Sequence, residues 1–154
     1  GLYRVNKKGE FNVPHGRYKN PKILNEGVLK RASRLLNRTE IFNGDYAECF
    51  TNFSKNDFVY FDPPFEPLSV TSSFTSYNPG GYGRTEQIRL RSVCDSLTDH
   101  RVKFLLSNSA HDYIRGLFDG ALRDYSISEV DARRSINSDK AGRSKIKEIL
   151  VSNY

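Results

Sequence analysis

The sequence predicts an α/β fold built on a largely parallel sheet, and three observations predict it. Short apolar runs of strand character alternate with segments of helical period. Three of the strand regions close in polar, turn-forming residues: Gly44-Asp45-Tyr46, Asp62-Pro63-Pro64-Phe65 and Ser107-Asn108-Ser109. In a parallel sheet these ends line one edge, where open α/β sheets place ligands. The chain closes on two strands with no helix between them, so its last strand is expected to run antiparallel.

Each element has a local reason. Leu2 to Val13 reads as a hairpin turning at Lys8-Gly9 and ended by Pro14-His15-Gly16. Val28, Leu29, Ala32, Leu35 and Leu36 recur at helical spacing, which predicts a helix from about Glu26 to Asn37, capped by Asn25. Thr39 to Phe42 reads as a short strand, Tyr46 to Phe53 as a short helix and Phe58 to Phe61 as a second strand. No regular structure is expected over 66–83, a Ser-, Thr-, Tyr- and Gly-rich loop long enough to be functional. Thr85 is expected to cap a helix reaching Leu97, with Ile88, Leu90, Val93 and Leu97 inward. Val102 to Leu106 is a strand closing at Ser107-Asn108, and Ser109 opens a helix to Phe118. Tyr125 to Val130 and Glu148 to Val151 are the closing strands.

The most informative stretch is Val59-Tyr60-Phe61-Asp62-Pro63-Pro64-Phe65. The prolines cannot donate ladder hydrogen bonds, so the strand must stop there. An acid, a rigid carbonyl and a ring are thereby gathered at one strand end. They suit a planar heterocycle with an exocyclic amino group: Asp62 and the Pro63 carbonyl accept its two N–H hydrogens while Phe65 stacks on its face. Asp-Pro-Pro is equally ordinary turn chemistry.

Composition narrows the class. At 154 residues with 37% hydrophobic content the chain can bury a core. No apolar run approaches the roughly 20 residues of a membrane span, and no signal peptide is recognisable. With no methionine, the sequence is expected to begin inside a longer chain. Cys49 and Cys94 lack metal spacing and are expected to be buried free thiols of a reducing cytoplasm. Residues 1–40 carry ten Lys/Arg against three Asp/Glu, and 133–147 six against one, whereas 41–132 carry eight against thirteen. Basic ends around an acidic middle point to a polyanion, and the aromatic and Asn residues of the first segment point to nucleic acid. A merely solvated basic face has the same charge pattern.

Asp62-Pro63-Pro64-Phe65 resembles the Asp-Pro-Pro-Tyr motif of the Dam-type DNA adenine-N6 methyltransferases, with Phe in the last place. Gly1-Leu2-Tyr3-Arg4-Val5-Asn6, Gly9-Glu10-Phe11-Asn12-Val13-Pro14 and Gly16-Arg17-Tyr18-Lys19 are similar to that family's DNA-contacting hairpin. Pro67-Leu68-Ser69 and Phe74-Thr75-Ser76-Tyr77 resemble the loop after its catalytic motif. Arg133-Arg134-Ser135-Ile136 and Glu148 to Tyr154 resemble its closing strands.

The resemblance runs end to end. It implies a class I S-adenosylmethionine-dependent methyltransferase fold, a Rossmann-like sheet that is incomplete here, with a DNA-recognition hairpin at the N-terminus. Residues 1–20 would end the target-recognition region, and 21–154 would form the C-terminal part of the catalytic domain. The family's Phe-x-Gly-x-Gly-like cofactor turn is not among these residues. Gly80, Gly81 and Gly83 follow no strand and do not replace it. The missing strands would fall between those near Ile41 and Val59, supplied by an N-terminal portion of the same protein.

The roles the resemblance implies are specific. Asp62, Pro63 and Phe65 would be catalytic, holding the N6 amine of a flipped adenine. Asp45, Tyr46 and Asp62 would bind S-adenosylmethionine, with no metal. On double-stranded DNA, Arg4 would read guanine, and Leu2 and Pro14 would touch a thymine methyl. Asn6, Arg17, Tyr18 and Lys19 would hold phosphates, and Ser69, Arg133 and Arg134 would add further contacts. GATC is the implied target, in restriction-modification, replication marking or phage self-protection. The implied location is cytoplasmic and nucleoid-associated, bacterial or phage. A DNA-binding module without catalysis is the competing reading. Methylation of protein glutamine or RNA is disfavoured, because Asn commonly stands there in place of Asp62. His15, His100 and His111 lack ligand spacing.

Overall fold

A computed structural model describes residues 5–6, 8–13, 19–20, 23–50, 53–67, 82–120, 123–133 and 145–154. The chain divides into two compact units, Gly1–Gly44 and Asp45–Tyr154.

In the first unit, Val5 and Phe11 form an antiparallel bridge around a turn in which Gly9 has φ 79°. A left-handed φ is free of Cβ strain only for glycine, which is why Gly9 sits there. Helix α1, Glu26–Leu36, follows, with Glu26 and Lys30 paired one turn apart. Asn25 makes no side-chain cap, contrary to expectation; its carbonyl accepts from Leu29 N–H at 3.0 Å. No residue of α1 is buried. Thr39 to Phe42 is not a strand: Ile41 and Phe42 are 73% and 69% exposed. A strand persists only where a neighbour accepts its hydrogen bonds, and no described neighbour does so here.

The second unit opens on a 3-10 turn, Tyr46–Phe50, shorter than the helix expected to Phe53. Then come β1 (Phe58–Phe61), α2 (Arg84–Asp99), β2 (Lys103–Ser109), α3 (Asp112–Phe118), β3 (Ser126–Arg133) and β4 (Lys145–Ser152). The sheet order is β1-β2-β4-β3. β1 and β2 are parallel, and β4 runs antiparallel to both β2 and β3, as expected for the closing strand.

Helix α2 begins two residues before Thr85 would cap it; Gly83 is its N-cap, and Glu86 accepts from Gly83 N–H at 2.8 Å. Its inward stripe is Gln87, Leu90, Cys94 and Leu97, so Ile88 faces outward. β2 runs through Ser107-Asn108-Ser109 instead of closing at Leu106, because those residues pair with Leu150, Ile149 and Glu148 of β4. The expected start of α3 at Ser109 is displaced to Asp112, where His111 Nδ1 accepts from Tyr113 N–H at 3.0 Å.

Helices α2 and α3 cover one face of the sheet. Phe61, Phe104, Leu106, Ile149 and Val151 point into that face and meet Leu90, Cys94, Leu97, Ile114 and Phe118. Each such side chain contributes about 1.5–3 kcal/mol through burial. On the other face Phe58, Tyr60 and Val130 are exposed. Among the described residues β1 has β2 as its only strand neighbour, and none pairs with its outer edge. Both cysteines are free; Cys94 is buried, with burial pushing its thiol up, but Cys49 is exposed. It lies in the 3-10 turn, whose period does not carry it inward.

Candidate active site

The parallel pair β1 and β2 ends at one edge, and the Asp62-Pro63-Pro64-Phe65-Glu66 loop crosses it. Two sets of contacts clamp this loop. On the open face, Tyr60 OH donates to Ser107 Oγ at 3.1 Å. Ser107 Oγ lies 3.1 Å from Asp62 Oδ1 and 3.3 Å from the Phe61 carbonyl, and its one hydroxyl hydrogen is shared between them. On the covered face, the Pro64 carbonyl accepts from Gln87 Nε2 at 3.1 Å. Gln87 Oε1 accepts from Asn108 Nδ2 at 3.1 Å, and Asn108 Oδ1 accepts from Glu66 N–H at 3.1 Å. From the open-face side of β2, Ser109 Oγ donates to the Glu66 carbonyl at 2.7 Å.

The clamp is buried although it is polar. Gln87 and Asn108 are 1% and 0% exposed, and each forms more than one hydrogen bond. Satisfied buried amides of this kind fix a loop in one geometry, because any alternative leaves them unpaired. Arg84 adds an ion pair to the Glu66 carboxylate at 3.3 Å and stacks on the Tyr113 ring at 4.3 Å.

Two acceptors of the loop stay open. Among the described residues nothing donates to the Pro63 carbonyl or to Asp62 Oδ2. Asp62 is exposed, and Pro63 and Phe65 are half-buried. The three expected catalytic residues thus lie on one loop, with Asp62 exposed.

The expected cofactor residues stand beside this loop. The Tyr46 ring packs edge-on against Phe61 at 6.4 Å. Asp45 accepts Ala47 N–H at 2.9 Å and a two-pronged Arg89 guanidinium at 2.6 and 2.8 Å. The Arg89 hydrogen bonds, with help from Ala47, hold the Asp45 carboxyl below its ordinary value. Arg89 also lies over the Tyr46 ring at 5.3 Å. Burial pushes the Tyr46 and Tyr82 phenols up. The donor set fits an adenosine: Asp45 Oδ2 takes one hydrogen bond from Arg89 and retains a lone pair for an amino group.

The expected DNA-contacting residues are only partly described. Leu2, Arg4, Pro14, Arg17, Tyr18, Ser69 and Arg134 lie outside the described residues, as does most of the 66–83 loop. Lys19 is exposed. Arg133 ends β3 opposite Lys145. Asn6 uses its side chain inside the hairpin: Oδ1 accepts from Lys8 and Glu10 N–H, and Nδ2 donates to Glu10. Gln87 and Arg89 were not expected from the sequence. The signal for Gln87 was a polar residue heading the apolar stripe of α2 at the end nearest Asp62.

Over residues 1–136 the chain matches the D12 class N6 adenine-specific DNA methyltransferase family. It belongs to that family. It is 42% identical over its whole length to the type II methyltransferase M1.LlaDCHI of Lactococcus lactis subsp. cremoris, covering 54% of that protein. Over its whole length it is 46% identical to the type II methyltransferase M.MjaIII of Methanocaldococcus jannaschii, covering 53%. With the DNA adenine methylase of Vibrio cholerae it shares 36% identity over 98% of the chain and 53% of the relative. The chain therefore spans about half the length of the curated relatives it matches. Among the described residues no helix is long and apolar enough to cross a membrane, and no cluster of His, Cys, Asp and Glu could hold a metal ion.

Proposed function

We propose that this chain is the C-terminal half of an enzyme that methylates N6 of adenine in double-stranded DNA, with GATC as the target the resemblance implies. The observation that carries the reading is the pair of open acceptors on an otherwise clamped loop, Asp62 Oδ2 and the Pro63 carbonyl. An exocyclic amine has two hydrogens to donate. Accepting both turns the nitrogen lone pair out of the ring plane and toward an electrophile. The Asp62 charge offsets the positive charge that grows on nitrogen as the new bond forms. Phe65 supplies a face for the purine, and loss of the family's tyrosine hydroxyl leaves that stacking intact. The adenine must leave the helix to reach the loop, at a cost of a few kcal/mol.

S-adenosylmethionine, when bound, supplies the methyl group as an electrophilic sulfonium substituent. Asp45 and Tyr46 would hold its adenine, with Asp45 Oδ2 accepting one amino hydrogen and the Tyr46 ring packing on the base. Asp62 would border the same pocket. Arg4 in the hairpin would read guanine, and the neighbouring Leu2, Asn6, Pro14, Arg17, Tyr18 and Lys19, with Ser69, Arg133 and Arg134, would hold the duplex. The outer edge of β1, which no described residue pairs with, and the exposed Phe58 and Tyr60 support a class I sheet completed by the remaining half of the protein.

The test is Asp62→Ala in the whole protein. Methyl transfer should fall by at least about 10²–10³-fold, the loss typical when a charge-stabilising group is removed. Duplex affinity should stay within about threefold of wild type. A variant that methylates within a few-fold of wild type would remove Asp62 from the chemistry.

A further inference from the structure

We infer that Gln87 and Asn108 are positioning residues for methyl transfer: a buried amide relay that orients the loop and leaves the Pro63 carbonyl as its open acceptor. The inference rests on the reading of this loop as the amine-binding site. Its direction follows from hydrogen-bond polarity. Asn108 Oδ1 accepts two backbone donors, Glu66 N–H at 3.1 Å and Ser109 N–H at 2.8 Å. A carbonyl oxygen so engaged cannot be the amide nitrogen, so Nδ2 must face Gln87. Gln87 must then turn Oε1 toward Asn108, and its Nε2 is left to donate to the Pro64 carbonyl.

The relay has one polarity from β2 to the loop. Either amide reversed would set two donors or two acceptors against each other in a buried site. The Pro64 carbonyl is thereby tied down on the covered face. The adjacent Pro63 carbonyl receives no donor among the described residues. Proline fixes φ at both positions, so tying one carbonyl strongly restricts the aim of the other. A small error in that aim costs rate, because reacting groups must be held near their productive geometry.

The test uses the whole protein, duplex DNA and S-adenosylmethionine in single turnover. Gln87→Glu keeps the acceptor facing Asn108 and removes the donor to Pro64. Asn108→Asp keeps the acceptor for both backbone donors and forces Gln87 to reverse. Each should lower the single-turnover rate constant at least tenfold, with duplex affinity within threefold. A purely structural role would lower the melting temperature and the reaction amplitude but leave the rate constant of the active fraction unchanged. That outcome would overturn the relay. If the wild-type protein itself fails to methylate adenine, the underlying reading fails instead.

Discussion

Helices α1 and α2 both carry apolar residues at helical spacing and meet different surroundings. In α2, Leu90, Cys94 and Leu97 are buried against the sheet and α3, and Gln87 is buried with them. In α1, Val28, Leu29, Leu35 and Leu36 recur at helical spacing too, yet all are exposed. Periodicity records a face; it does not supply the surface that covers the face. For α2 the cover is present within Asp45–Tyr154. For α1 the proposed remaining half of the protein would supply it.

The contrast can be broken by paired substitutions. In this chain, Phe104→Ala should cost about 3–5 kcal/mol, since Phe104 is fully buried between Phe61 and Tyr125. Leu36→Ala should cost no more than about 0.5 kcal/mol, as for an exposed site. In the whole protein the Leu36→Ala cost should rise to about 2–5 kcal/mol, the range for a buried leucine. Urea unfolding of both forms measures this. A Leu36 effect that stays small in the whole protein would contradict the proposed cover.

The hairpin and the clamped loop can be separated in the same way. Arg4→Ala should remove about 1–3 kcal/mol of discrimination at one base pair, read by competition between cognate and near-cognate duplexes. Equal weakening at all sequences would make Arg4 a phosphate contact. Ser107→Ala deletes one hydrogen bond to Asp62 and should raise the transfer barrier by about 0.5–1.5 kcal/mol, seen in single turnover without loss of duplex affinity.

The smallest expected effect is electrostatic. Arg89 holds the folded-state carboxyl of Asp45 below the 3.8 of an isolated aspartate. Its contribution to stability is therefore complete above that value and fades as pH falls through the lower, folded one. Carboxyl NMR should show Asp45 titrating below 3.8, and Arg89→Gln should return it toward that value. An Asp45 midpoint at or above 3.8 in the wild-type chain would contradict the pairing.

The sheet was legible because strand length, turn residues and alternation are local signals. β1 was read to the residue, and the antiparallel closing strand followed from the lack of a helix between the last two. The ends of β2 and the start of α3 were misread for a non-local reason. Ser107-Asn108-Ser109 has the composition of a turn but pairs with β4, a partner 39 to 43 residues away in sequence. Thr39 to Phe42 failed in the opposite sense, as strand composition without a described pairing partner.

The end of β1 at Asp62-Pro63-Pro64-Phe65 was visible because prolines stop a strand by a local rule. Gln87 was not, because its role depends on Asn108 and Pro64 meeting it in space. Arg89 was missed for the same reason, since nothing local to α2 announces Asp45.

The most direct measurement is the identity of the product. The whole wild-type protein is incubated with duplex DNA and methyl-labelled S-adenosylmethionine, and the DNA is digested to nucleosides. Label should appear in N6-methyldeoxyadenosine alone. Label in a methylated cytosine, or firm duplex binding with no label in DNA, would contradict the reading of Asp62, Pro63 and Phe65 as an adenine site.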